Sequence, residues 1–211
     1  MYALKYFECN TAKASMPWSK DHKTQTRKKI VDAAAASFRA HGAAGVGLAD
    51  VMHEAGLTHG GFYAHFKSKD DLIAAALKSV NETRLSRFDE VAAARAKGSG
   101  LDLAVDTYLS SRHREHPESG CVIATLGSEL ARERGSARHQ IGENARAWLE
   151  RFAQHAPAAT ARDRERKAAG AFAAMIGGLV LARTLEDPHA SDRLLADVRA
   201  FVHDALSSDT E

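Results

Sequence analysis

The chain has 211 residues, 45% of them hydrophobic and 27% charged, with a formal charge of only +2. This is ordinary globular composition with enough apolar side chain for a core, and the near-neutral total says little about partners. Alanine is abundant, while Pro (4), Trp (2) and Tyr (4) are few. β-Branched and aromatic runs of the kind strands favour are missing, so the expected fold class is all-α. The longest apolar stretch, 168–182, is interrupted by Gly170, Gly177 and Gly178. It falls short of the roughly 20 residues that span a bilayer.

Residues 1–22 lack clear periodicity and read as a flexible N-terminal extension, with Met16 as an alternative start. No secretory signal is expected there, because Lys5 and Glu8 interrupt any apolar run. A basic cluster follows: Lys20, Lys23, Arg27, Lys28 and Lys29 against Asp21 alone. Such a cluster serves either a polyanion or a solvated helix start. From Lys23 the pattern turns helical, with Ile30, Ala33, Ala34, Ser37 and Phe38 on one face and His41-Gly42 as the stop. Residues 48–55 read as a short helix with Leu48, Val51 and Met52 inward. Gly56-Leu57 makes a tight turn, and Thr58 is the N-cap of a second short helix ending near Phe66. Ser68 caps the next helix. Asp70 and Asp71 complement its dipole, and Leu72, Ile73, Ala76, Leu77 and Val80 carry it toward Arg95.

Lys97-Gly98-Ser99-Gly100 reads as a helix break. Beyond it come amphipathic segments carrying Leu101, Val105, Tyr108 and Leu109, then Val122, Ile123, Leu126 and Leu130, then Ile141, Ala145, Trp148, Leu149 and Phe152. The segment 162–184 is apolar around much of its circumference, and a last helix shows Leu194, Leu195, Val198, Phe201 and Val202.

Two short helices separated by a glycine turn form a helix-turn-helix pattern, whose second helix enters the DNA major groove. That second helix is polar and aromatic outside, with Thr58, His59, Tyr63 and His65. Its Gly60-Gly61 pair costs about 1 kcal/mol per residue relative to alanine. Close approach to a DNA backbone would compensate, and so would tight helix packing.

The run 57–72, LTHGGFYAHFKSKDDL, resembles the TetR family signature, with Tyr63, His65, Phe66, Lys69 and Leu72 at the offsets of Tyr-x-His-Phe-x-x-Lys-x-x-Leu. Ile30, Ala33, Phe38 and Gly42 upstream also fit, so the specific resemblance covers residues 26–77. It implies a helix-turn-helix DNA-binding domain over 23–69 and a larger helical effector-binding and dimerisation domain over 70–211. Thr58 and His59 would approach base edges, Gly60 would let the DNA come close, Tyr63, His65 and Lys69 would contact phosphates, and Phe66 and Leu72 would be core. The chain departs from the family at Gly47-Leu48, where many members carry a capping Ser or Thr. The resemblance further implies a homodimeric repressor of double-stranded operator DNA, released by a small apolar effector, while the lack of a signal, the short apolar stretch and the cysteine pattern point to a reducing cytoplasm and no membrane partner. The helices over 168–183 and 191–206 would form a four-helix dimer bundle. The larger or softer residues available to line the effector site are Tyr108, Cys121, Leu126, Trp148, Phe152, Phe172 and Met175, although such residues at helical spacing commonly form plain core.

Cys9 and Cys121 show no metal-ligand spacing and point to free thiols. Cys121, after His116-Pro117 and near a helix start, reads either as an electrophile or oxidant sensor or as a small buried hydrophobe. An α-helical enzyme is the competing reading, as is an effector-binding bundle without DNA binding. No His-Glu-x-x-His, Gly-x-Ser-x-Gly or P-loop spacing occurs, and His113 with His116 lacks a convincing third ligand. No cofactor, metal or catalytic residue is expected.

Overall fold

The computed structural model describes residues 20–93 and 99–207, and every element among them is helical. Helix α1 (Lys20–His41) buries Ile30, Ala34 and Phe38 and stops at Gly42, whose φ of +78° suits glycine. Helix α2 (Leu48–Glu54) buries Val51 and Met52, and Gly56 turns the chain with a φ of +72°. A six-residue 3₁₀-helix, His59–Ala64, precedes the long α3 (Lys69–Ala93). Then come α4 (Ser99–Tyr108), α5 (Ser111–Glu115), a 3₁₀ turn at Pro117–Ser119, α6 (Val122–Leu130), α7 (Ser136–His155), α8 (Ala161–Thr184) and α9 (Pro188–Ser207).

These helices enclose two apolar cores. Phe38, Met52, Phe62, Phe66, Leu72 and Leu77 form the first, and Val122, Leu126, Leu130 and Ile141 from α6 and α7 complete it. Phe88, Leu101, Val105, Phe152, Phe172, Met175, Leu195 and Val202 form the second. Ile123 packs against both. The N-terminal helices therefore do not close their core alone.

Polar contacts fasten the same seam. The Glu129 carboxylate, near the end of α6, accepts the Ala43 and Ala44 N–H groups at 3.0 and 2.6 Å. The Asp70 carboxylate accepts the Ser136 and Ala137 N–H groups at 2.7 and 3.1 Å, capping α7 from another helix. Buried Asn144 donates Nδ2 to the Leu77 carbonyl at 3.0 Å, deep between α3 and α7.

Among the described residues the chain is already helical at Lys20, three residues before the expected start at Lys23. The expected second short helix is 3₁₀ and ends at Ala64, two residues before Phe66. Two successive glycines weaken α-helical propensity over so short a span, and 3₁₀ geometry is typical of such pieces. Thr58 holds the cap position with an extended backbone, but its side chain makes no capping bond. Ser68 does cap α3, its Oγ accepting the Asp71 N–H at 3.1 Å. The expectations for residues 1–19, including Cys9 and Met16, and for Lys97-Gly98 lie outside the described residues.

Phe38 is 1% exposed where α1 faces α6. Phe38→Ala should lower stability by about 3–5 kcal/mol, read as a reduced urea midpoint.

Candidate DNA-binding surface and its link to the helical core

Phe62 is fully buried beneath the 3₁₀-helix, stacked on Phe66 with centroids 5.7 Å apart. Its neighbour Tyr63 turns outward and is 68% exposed, its ring edge-on to Phe62. Thr58, His59 and Gly60 are exposed on the same short segment. A Cβ added at Gly60 would meet nothing within 4 Å, so close packing inside the chain does not explain that glycine. His65 is half-buried, its Nδ1 enclosed without a hydrogen-bond partner. Burial, then the nearby charges of Lys23 and Arg27, hold its pKa below the usual histidine value. The Arg27 guanidinium lies 4.5 Å above the Phe66 ring. Lys69 is partly exposed in the first turn of α3.

The structure thus gathers Lys23 and Arg27 of α1 with His65 and the outward Tyr63. The sequence singles out neither Lys23 nor Arg27 as a contact. Their signal is the basic cluster over 20–29, whose helical phase alone does not say which members face the motif.

The sequence-assigned lining residues divide. Trp148, Phe152 and Phe172 pack with Phe88 into an aromatic cluster, with centroid separations from 5.4 Å for Phe152–Phe172 to 6.3 Å for Trp148–Phe172. Met175 is buried in the same core. Leu126 instead lies in the first core with Phe38 and Leu77. A void of about 10 Å³ beside it, bounded by Phe38, Arg39 and Leu77, holds a water at most. A broad surface groove of about 1470 Å³ runs past Leu149, Ala153, Ala156 and Ala169, outside the aromatic cluster.

Tyr108 packs against the same second core, and it meets Cys121 at the segment 113–121. His113 donates Nδ1–H to the Tyr108 carbonyl at 2.8 Å, and its Nε2 accepts the Cys121 N–H at 3.0 Å. Both ring nitrogens are engaged only in the neutral tautomer. Burial, with the charges of Arg183 and Arg84 adding to it, pushes the His113 pKa down to about 4 against its hydrogen bond to Tyr108. Arginines from separate helices clasp the segment's carbonyls. Arg39 of α1 donates Nε–H to Glu118 at 2.6 Å, Arg84 of α3 donates to Ser119, and Arg183 of α8 donates Nη2–H to His113 at 2.8 Å. Arg114 of α5 reaches Ser191 and Asp192 of α9, each at 2.7 Å. Burial lowers Arg39 to about 10. His116 bonds to Glu118, and among the described residues no cluster of metal-ligating side chains forms with His113.

Two family profiles match the chain along most of its length. "Bacterial regulatory proteins, tetR family" covers residues 30–76, and "Tetracyclin repressor-like, C-terminal domain" covers residues 99–198. The chain belongs to the TetR family. The HTH-type transcriptional regulator TtgR of Pseudomonas putida is 39% identical over 74 residues, 34% of this chain and 35% of that protein. The match thus spans about a third of that curated relative's length. A TetR transcriptional regulator from Chloroflexus aurantiacus has a TM-score of 0.70 at 26% identity, over 87% of this chain and 96% of that one. Reduced E. coli NemR shares the fold, with a TM-score of 0.73 at 18% identity over 85% of this chain and 96% of that one.

In this TetR-family chain, a neutral native His113 carries a stability term that depends on pH. The unfolded ring takes a proton near pH 6.5, so the term is complete above that value and is lost as pH falls toward 4. Urea unfolding at pH 7.5 and pH 5 should show this loss, with a smaller fall for His113→Gln.

Proposed function

We propose that this protein is a homodimeric, sequence-specific DNA-binding regulator, a repressor released by a small apolar effector, and not an enzyme. The observation that carries the reading is the exposed face of the short 3₁₀-helix, with Tyr63 outward and Lys23, Arg27 and Lys69 around it. Residues 23–69 would form the reading head and 70–211 the effector-binding and dimerising part. Thr58, His59 and Gly60 would meet base edges, with the unused Thr58 hydroxyl and the open face of Gly60 supporting close approach. Tyr63, His65 and Lys69 would position the head on phosphates, joined by Lys23 and Arg27. A symmetric pair of heads would read half-sites about 34–36 Å apart.

A homodimer is supported by the outer faces of α8 and α9. Ala169, Gly170, Ala173, Gly177, Val180 and Leu181 form an exposed apolar stripe on α8, with Leu181 55% exposed. Ala196, Ala200 and Phe201 lie exposed on α9, Phe201 by 62%. A Cβ at Gly170 or Gly177 would meet open space, whereas Gly178 packs against Val198 within the subunit. An apolar stripe of this kind marks an association surface. An effector would lodge against the aromatic core of Trp148, Phe152, Phe172 and Met175, with Tyr108 and Cys121 at its edge, whereas Leu126 lies in the first core. Among the described residues no helix is long and apolar enough to cross a membrane, and a cytoplasmic location fits a DNA-binding role.

DNA fragments selected from a random-sequence pool should bind about a thousandfold or more tighter than bulk DNA, with strong salt dependence. Lys69→Ala should weaken binding and reduce the salt slope by about one. Equal, weak binding to selected and bulk DNA would refute the reading. Leu181→Glu with Phe201→Glu should sediment as a monomer and lose tight operator binding. A variant that remains dimeric would place the interface elsewhere.

A further inference from the structure

The turn from α6 into α7 carries cations that the proposed reading surface does not use. Over 132–138, Arg132, Arg134 and Arg138 stand against Glu133 alone, and all four are exposed. Among the described residues none of these arginines makes an ion pair, whereas Arg146 and Arg151 farther along α7 each close on a carboxylate. Two carboxylates from the adjoining elements reach the neighbourhood, and backbone N–H groups take their oxygens. Glu129 accepts from Ala43 and Ala44, and Asp70 accepts from Ser136 and Ala137. With Lys67 and Lys69 at the start of α3, this end of the molecule holds five cations against the remaining acids, Glu133 and Asp71. Such a patch suits a polyanion.

Three constraints hold the turn beside the proposed reading surface. Leu130 before it and Ala137 within it are buried in the first core, the same core that takes Phe62 and Phe66. Asp70 follows Lys69 directly and caps the start of α7, so α7 meets the 25-residue α3 at its first turn. Gly135 bends the chain with a φ of +114°, and a Cβ there would stand 2.7 Å from the Asp70 Oδ2. Only glycine meets both demands. Arg134 and Arg138 flank the stretch that Asp70 grips, and are thereby fixed close to Lys69. Since Asp70 already occupies the Ser136 and Ala137 N–H groups, attraction for an anion rests on the arginine side chains.

Building on the DNA-binding regulator proposed above, we propose that Arg134 and Arg138 form a second phosphate clamp, gripping the DNA backbone next to the phosphate that Lys69 holds. Arg132 adds charge to the same turn. The occupant is duplex DNA, because the cluster adjoins Lys69 and continues the proposed reading surface. A guanidinium presents a planar fork of donors that matches phosphate oxygens. Such contacts position the protein and carry no base information. The clamp also lies outside residues 23–69, on the turn that α6 and α7 share. A movement of those two helices then changes the fit to DNA at the turn itself.

The test uses the full chain with Arg134→Gln and Arg138→Gln together. Its control removes the same charge from exposed positions farther up α3 and α7, with Arg87→Gln and Arg146→Gln. The clamp variant should weaken selected and bulk DNA by the same factor, and its salt slope should fall by about one for each contact removed. Ethylation interference on the selected DNA should show phosphates that matter to the unsubstituted protein and not to the clamp variant, beside those lost in Lys69→Ala. The control should match the unsubstituted protein in both measurements, and urea midpoints should be alike for all three proteins. A clamp variant with an unchanged slope and interference pattern overturns the proposal. An equal loss in the control also overturns it, because net charge alone would then account for the effect. Unsubstituted protein that binds bulk DNA but selects none overturns the regulator reading instead, while the bulk-DNA salt slopes still decide the clamp. Unsubstituted protein that binds no DNA overturns both.

Discussion

Burial of Phe62 is the constraint on which the outward surface depends. A six-residue 3₁₀-helix has too few hydrogen bonds to hold its own shape in water. It is held because one aromatic ring is driven fully into the first core and stacks on Phe66. Once that ring is inside, the adjoining Tyr63 faces solvent and Thr58, His59 and Gly60 lie along the open face. Arg27, lying over Phe66, then brings positive charge to the rim of the same face. A hydrophobic anchor thus sets the positions of the polar groups.

The second organising feature is the seam between the N-terminal helices and α6–α7. Val122, Leu126 and Leu130 complete a core begun by Phe38 and Leu77, so the two parts of the chain share apolar surface. Charged groups fasten its edges. Glu129 holds the backbone after α1, Asp70 caps α7, and Arg39 and Arg84 clasp the segment before α6. Packed interiors respond to added volume by shifting as units. A displacement at 113–121 therefore has a physical route to α1 through Arg39 and through the packing on Phe38.

Much of the fold was legible in the residues. The helical periods over α1, α3 and α7, the stop at Gly42, the turn at Gly56 and the Ser68 cap each follow from local propensity and backbone geometry, and the structure realises each of them. The 3₁₀ character of His59–Ala64 was not legible. Capping signs are shared by α- and 3₁₀-helices, and the glycine pair alone does not choose between them. Asp70 could be read only as complementing its own helix, because its second partner, the start of α7, is 66 residues away. The lining residues chosen by size and softness also divided between two cores, since side-chain type carries no information about which helices converge.

By itself, the sequence determined the helical class, the order of the main helices and the spacing of Tyr63, His65, Phe66, Lys69 and Leu72, because these rest on short-range periodicity and backbone chemistry. Only the tertiary structure decided that Lys23 and Arg27 stand beside His65, that Leu126 belongs with Phe38 instead of Phe172, and that arginines from α1, α3 and α8 meet on one segment next to Cys121 and Tyr108. The physical reason is range. Helix formation is settled within a few residues, whereas burial and charge pairing are settled by how whole helices pack, between residues as far apart as Arg39 and Arg183.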